Sequence, residues 1–140
     1  MKKTAPLGLS LLLAVVLAAP ALMACGGTRS YELVGTDRTV GTDANLEVAK
    51  DGANFKIKLD VENLPPPARV SESATTYLVW LRPEGQAILL LGQLNYDDDD
   101  REGHLETTTP HEVFELIVTA ESDPAAASPN ETVVLRQRVD

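Results

Sequence analysis

The acidic run Asn95–His104, NYDDDDREGH, holds the residue types in this 140-residue chain that are best suited to binding a cation. Clustered carboxylates and carbonyl oxygens are the ligands that calcium prefers. Counted from Asp98, the run places Gly103 at the sixth position, as in a calcium-binding helix-loop-helix, but Thr109 stands at the twelfth, where that motif needs a glutamate. The flanks also alternate like strands, so the run is interpreted as a polar hairpin turn. The alternative, a calcium site, would use Asp97, Asp98, Asp100 and Glu102.

A second set of possible metal ligands follows, namely His104, Glu106, His111 and Glu112. His104 and Glu106 would share one face of a strand, and His111 would lie across a turn. Zinc sites show tighter and more repeated spacing, so the set is interpreted as ordinary surface residues. The sequence shows no nucleophile patterned with a histidine and an acid, and no Gly-rich phosphate loop. An enzyme is therefore not predicted.

The N-terminal segment resembles a bacterial export signal. Lys2 and Lys3 precede the apolar run Leu7–Leu22, which is short for a membrane span of about 20 apolar residues. Residues 1–24 are therefore interpreted as a signal peptide that takes no part in the fold. A retained anchor helix is the alternative, but Pro20 and the small residues after it favour cleavage.

The signal ends in Leu22-Met23-Ala24-Cys25, which resembles the lipobox of bacterial lipoproteins. The resemblance implies cleavage between Ala24 and Cys25 and a diacylglyceryl thioether on Cys25, which becomes the mature N-terminus. Cys25 is the single cysteine of the chain, so no intramolecular disulfide can form. Gly26 follows it instead of the aspartate that retains enterobacterial lipoproteins in the inner membrane, and this favours the outer membrane.

Charge narrows the classes of partner. Removal of Lys2 and Lys3 with the signal would take the formal charge from −9 to −11. Such a balance argues against binding to nucleic acid or to anionic headgroups, and any partner drawn in electrostatically would be basic or a cation. The remaining length suits one domain, predicted at residues 31–140 and preceded by a lipidated tether at residues 25–30.

Strand signals recur about every ten residues. Phe55–Glu62 alternates apolar and charged residues, and Asp51-Gly52 predicts a tight hairpin that places Leu46 and Val48 on the same core as Phe55 and Ile57. Trp80 is expected to pack between two sheets, and Ile88–Leu91 is expected to form a buried run. The pattern predicts an all-β fold, an antiparallel immunoglobulin-like β-sandwich of about seven or eight strands. The other predicted strands are 75–81, 86–95, 103–108, 112–121 and 132–139.

Several short motifs follow one another along the chain after residue 30. They are Leu64-Pro65-Pro66, Tyr77-Leu78-Val79-Trp80-Leu81, Gly92, Val118-Thr119-Ala120-Glu121, Ser128-Pro129 and Val133-Val134-Leu135. In this order they resemble the extracytoplasmic C-terminal domain of anti-sigma-K-type factors. The resemblance implies a β-sandwich with a sensing or interaction role and no catalytic residues. The cytoplasmic sigma-binding domain and the transmembrane helix of that family have no counterpart here, so sigma binding is not implied.

These features together predict a non-catalytic, lipid-anchored envelope lipoprotein that faces the periplasm or the exterior. It would act as an interaction or sensing module that contacts an envelope protein through an edge strand or an end loop. The alternative is a calcium- or small-ligand-binding lipoprotein that uses the loop Asp97–Glu102. No other cofactor is expected.

Overall fold

Two antiparallel sheets pack face to face in the computed structural model, which describes residues 27–140. One has the order β1-β2-β3-β7-β6, and the other has the order β5-β4-β8-β9. This confirms the predicted all-β sandwich. The elements are β1 Arg29–Val34, β2 Asp43–Asp51, β3 Asn54–Glu62, α1 Pro67–Val70, β4 Thr76–Pro83, β5 Leu89–Gln93, β6 Asn95–Asp97, β7 Glu102–Thr109, β8 Phe114–Glu121 and β9 Val133–Val139.

The described part of the chain has nine strands instead of seven or eight, because the segment predicted as one strand at 86–95 is divided at Leu94. Leu94 is buried, and its N–H donates to the carbonyl oxygen of Tyr77 at 2.9 Å. At this residue the chain leaves the sheet that contains β5 and enters the sheet that contains β6. A single residue thus links the two layers.

The hairpin of β2 and β3 is as predicted. Asp51 pairs with Asn54, and Gly52 takes a φ of +61°, a left-handed conformation that glycine adopts at low cost. Leu46, Val48 and Ile57 are fully buried, and Phe55 packs against the same core while half-buried. The period-two alternation of β3 therefore puts its apolar side chains between the sheets and its charges on the outer face.

Trp80 is buried, but the prediction that it packs between the sheets is wrong. Tyr77, Val79 and Leu81 of β4 face the core between the sheets, and Trp80 points to the opposite face. There it forms a small second cluster with Leu78 and Ile117, onto which Ile88, Ala126 and Val133 pack. The alternation of β4 could not show this, because both faces of this strand are apolar and both are covered.

The expected burial of Ile88–Leu91 is also wrong. Within residues 27–140, β5 pairs with β4 alone and is the edge of its sheet. Leu89 is 39% exposed and Leu90 is 37% exposed, while Ile88 and Leu91 are half-buried. An apolar run indicates that its strand packs against other apolar side chains. Whether that strand is central or at the edge of its sheet depends on which strands pair with it.

The sandwich has two distinct ends. At the end named here the Arg29 end, the Arg29 guanidinium donates to the backbone oxygens of Asp140 and Glu112 and lies 5.8 Å from the Phe55 ring centroid. At the opposite end, named the acidic end, the loop after β1 is fixed by Thr36, whose Oγ1 donates to the Val133 oxygen at 2.8 Å. The first residue of β1 and the loop after β1 are therefore bonded to the two ends of β9, and these contacts join the two sheets at both ends of the sandwich.

The domain begins slightly earlier than predicted. Arg29 and Ser30, which fall in the predicted tether, pair with Val48 and Glu47 and belong to β1. The predicted signal peptide and the lipidation site Cys25 lie outside the described residues. In the range 27–140, no helix has the length and apolar character to span a membrane.

Candidate functional site

The acidic run forms the hairpin turn between β6 and β7, as the interpretation from sequence predicts. Asp97 pairs with Glu102, and residues 98–101 form the turn. The Asp97 Oδ1 accepts the N–H groups of Asp99 at 2.8 Å and of Asp100 at 3.2 Å. This is the usual work of an aspartate at the start of a turn, where its side chain replaces a missing backbone acceptor.

Arg101 completes the turn in a left-handed conformation, with a φ of +57°. A side chain there costs about 1–2 kcal/mol relative to a right-handed residue. Three contacts with the segment after β3 offset that cost. The Arg101 oxygen accepts the Leu64 N–H at 2.9 Å, and its guanidinium donates to the backbone oxygens of Asn63 at 3.2 Å and Leu64 at 3.4 Å.

The four carboxylates of the calcium alternative are exposed and are not gathered into a ligand set. No group of three or more His, Cys, Asp or Glu residues in the described chain could hold a metal ion. Asp97 already accepts two backbone N–H groups, which occupy part of its ligating capacity. Calcium binding by this loop stays a hypothesis, and the turn geometry explains the run without it. The four residues are Asp97, Asp98, Asp100 and Glu102.

The residues considered for zinc are divided among separate contacts. His104 and Glu106 share the outer face of β7, as predicted, but each faces a residue of β3. The His104 Nδ1 lies 2.7 Å from the Asp60 Oδ1, and the Lys56 Nζ lies 2.5 Å from the Glu106 Oε1. The ammonium lowers the pKa of Glu106 by a hydrogen bond and by its charge, and the carboxylate raises the pKa of Lys56 for the same reasons. Both pairs are exposed, so they contribute little stability.

A tyrosine pair holds the crossover that follows β3. The Tyr77 hydroxyl donates to the Pro65 oxygen at 2.5 Å, and the Tyr96 hydroxyl donates to the Leu64 oxygen at 2.6 Å. The two rings meet edge to face, with centroids 5.3 Å apart and planes at 76°. Burial is the main cause that raises the pKa of both phenols, because it disfavours the phenolate.

A buried chain of hydrogen bonds lies behind Trp80. Its Nε1 donates to the Thr119 Oγ1 at 2.8 Å, and that hydroxyl donates to the Glu121 Oε1 at 2.7 Å. The same carboxylate oxygen accepts the Asn130 N–H at 2.9 Å, and the Asn130 side chain donates to the Ala120 oxygen at 2.7 Å. Across the described residues, every buried side-chain nitrogen and oxygen has a partner. The network fastens the loop 122–132 over the outer face of β4 and β8.

Three of the short motifs singled out from the sequence make hydrogen bonds that hold the fold. Leu64-Pro65 is bonded to Tyr77 through the Pro65 oxygen, and Trp80 is bonded to Thr119 through the indole N–H. Gly92 is not a steric requirement, since a Cβ there would lie 3.5 Å from the nearest Leu105 atom. Sequence reasoning missed Tyr96, Arg101 and Asn130. Arg101 alone carried a signal, as the one cation that follows the aspartates.

An acidic outer surface is the remaining feature that could bind a partner. A shallow depression across β1, β2 and β3 is lined by four acids, Glu32, Asp43, Asp60 and Glu62, and by the uncharged residues Leu33, Val34, Ala44 and Asn45. A second one adjoins it at Asp60 and extends to the turn, where its lining includes Asp97, Asp100, Glu102 and His104. The two depressions form one face near the acidic end, defined here as the acidic face. Its charge fits a cationic partner better than an anionic one.

Comparison with known proteins gives no relative: no family model, no curated protein and no solved structure matches the chain.

Proposed function

We propose that the protein is a lipid-anchored lipoprotein of the bacterial cell envelope, and that its sandwich is a non-catalytic interaction or sensing module. The observation that carries the proposal is the sequence Leu22-Met23-Ala24-Cys25 at the end of an export signal. Lipidation also gives the single cysteine a role, since a free thiol would be a liability in an oxidising compartment.

The start of the domain supports anchoring. Cys25 stands four residues before Arg29, where β1 begins. Two or more acyl chains at Cys25 would hold the domain firmly, because a single chain gives only marginal and reversible membrane binding. The membrane is thus the first partner of the protein. Gly26 favours the outer membrane, and export through the signal would leave the sandwich outside the cytoplasm.

The contacts of the chemically capable side chains support a binding role over catalysis. His104 faces Asp60, Thr119 bridges Trp80 and Glu121, and Tyr77 holds a backbone oxygen. These side chains bond to other parts of the domain and stabilise the fold. The acidic face offers a surface for an envelope protein with a basic patch, and the proposal includes no nucleic acid and no cofactor.

Cys25→Ser tests the anchor. The full-length variant is expected to leave the membrane fraction and to lose incorporation of labelled palmitate, because serine cannot form the thioether. Gly27→Ser is the matched control, since a Cβ at Gly27 has nothing within 4 Å, and it should fractionate like the wild type. Retention of the Cys25→Ser protein in washed membranes would contradict the proposal.

Photo-crosslinking in intact cells tests the interaction role. A crosslinking residue placed at Asp43, on the acidic face, is expected to capture a discrete partner, and capture should weaken at higher ionic strength. The same residue placed at Asp51, at the Arg29 end, is the control. The absence of any discrete product from the Asp43 position would count against an interaction module.

A further inference from the structure

We infer that the Arg29 end of the sandwich faces the bilayer and that the acidic end points away from it. The inference rests on the proposed lipid anchor at Cys25 and goes further, because it states which surface the membrane covers and which surface a partner can reach. Two independent observations agree on this orientation: the short reach of the chain before β1, and the uneven distribution of charge between the two ends.

The reach is set by covalent geometry. Four residues of fully extended chain from Cys25 to Arg29 span at most about 14 Å. Arg29 itself is held, since it pairs with Val48 and its guanidinium donates to the backbone oxygens of Glu112 and Asp140. The Arg29 end therefore stays within about 14 Å of the lipidated cysteine and close to the lipid headgroups.

The charge is polarised along the same axis. At the Arg29 end, cations and acids are balanced: Arg29, Lys50, Lys56, Arg82 and Arg138 lie among Asp51, Glu84, Glu106, Glu112, Glu115 and Asp140. Among the described residues, the cations at the acidic end are Arg38, Arg69 and Arg101, and Lys58, midway along β3, lies 3.5 Å from Asp60; they accompany a large excess of acids. Those acids are Glu32, Asp37, Asp43, Asp60, Glu62, Glu72, Asp97, Asp98, Asp99, Asp100, Glu102, Glu121, Asp123 and Glu131.

Anionic lipids repel the acidic end, whereas the Arg29 end, with nearly equal numbers of cations and acids, is not repelled. The repulsion acts within a Debye length, about 8–10 Å at ordinary ionic strength. The nine residues of β3 extend about 30 Å at 3.3 Å per residue. When the Arg29 end touches the headgroups, the turn at 98–101 therefore stands well outside the screened layer. Tipping the domain over would bring these acids back into it.

The lipidation of Cys25 makes a direct measurement possible. Its thiol is consumed by the lipid, so one engineered cysteine can be labelled with a fluorophore in the intact lipoprotein. Ala53→Cys lies in the β2–β3 turn at the Arg29 end, and Asp99→Cys lies in the turn at the acidic end. Both positions are exposed. Each labelled protein is reconstituted into vesicles of phosphatidylethanolamine and phosphatidylglycerol that carry a headgroup acceptor, and energy transfer is compared.

Transfer is expected to be several times greater at position 53 than at position 99. Equal transfer, or more transfer at position 99, from protein that floats with the vesicles would overturn the orientation and leave the anchor intact. Wild-type lipoprotein that fails to float would instead overturn the proposed anchor. Insertion of a long Gly-Ser segment between Thr28 and Arg29 should reduce the difference between the positions. A difference unchanged by that insertion would refute the reach as its cause.

Discussion

Replacing Thr119 with valine tests the hydrogen-bond chain behind Trp80. Valine keeps the shape of threonine but removes the hydroxyl that accepts from the Trp80 Nε1 and donates to the Glu121 Oε1. Both neighbours are buried, so the indole N–H loses its partner and no water replaces it. An orphaned buried donor costs about 1–3 kcal/mol, and the loss of one of two donors to a carboxylate adds to this. We expect a total of about 2–4 kcal/mol.

Two further variants separate the hydrogen bonds from packing. Thr119→Ser keeps the hydroxyl and loses one methyl group, so it should cost about 1 kcal/mol. Trp80→Phe removes the donor, and in that background Thr119→Val should cost about 1–2 kcal/mol less than in the wild type. The double-mutant cycle therefore isolates the indole–hydroxyl bond from the cavity that each substitution creates.

Urea unfolding measured by circular dichroism gives the free energies, and Trp80, the single tryptophan, reports on its own site by fluorescence. For a domain of this size each kcal/mol corresponds to about 4 °C in melting temperature, so Thr119→Val should melt about 8–16 °C lower. The reasoning is refuted if Thr119→Val is no more destabilising than Thr119→Ser, or if the cycle is additive.

Substitutions at four other positions have clear expected outcomes. Burial raises the pKa of Tyr77, so the phenol loses its proton at a lower pH in the unfolded chain than in the folded protein, and the free energy of unfolding should fall above about pH 10. In Tyr77→Phe this fall should be smaller, as measured by urea midpoints from about pH 9 to 11. Gly103→Ala should cost about 1–3 kcal/mol by thermal melting, since its Cβ would meet Leu94 at 2.4 Å, whereas Gly92→Ala should cost less. Asp97→Ala should cost about 1 kcal/mol and Asp97→Asn less, since the amide oxygen still accepts. A calcium-dependent rise in the melting temperature of the wild type that Asp97→Asn abolishes would instead support the calcium alternative.

Local chemistry made part of the fold predictable. Asp51-Gly52 specifies a hairpin through the backbone preference of glycine, and the alternation of Phe55–Glu62 specifies which face is buried, so both were confirmed. The acidic run was correctly interpreted as a turn, because aspartates that repel one another and cap backbone N–H groups favour one. These features depend on residues close together in the sequence.

Tertiary arrangement explains what sequence reasoning got wrong. Trp80 and Ile88–Leu91 were placed by hydrophobicity, which says that a side chain is covered but not by which layer. No glycine or proline marks the point at Leu94 where the chain passes from one sheet to the other, since leucine is an ordinary strand residue. Arg101 and Asn130 matter through bonds to distant backbone atoms, and nothing in their immediate sequence specifies those partners.

The crossing at Leu94 also affects how the chain can fold. The five-stranded sheet joins β1, β2 and β3 to β6 and β7, and the four-stranded sheet joins β4 and β5 to β8 and β9, so neither is built from one continuous stretch of sequence. The loop after β1 depends on β9 as well, since Thr36 and Thr39 bond to the backbone of Val133 and Val134. Folds dominated by such distant pairings form slowly. A chain exported from its N-terminus onward would therefore complete this sandwich only after its last strand had crossed, and would stay unfolded during transit.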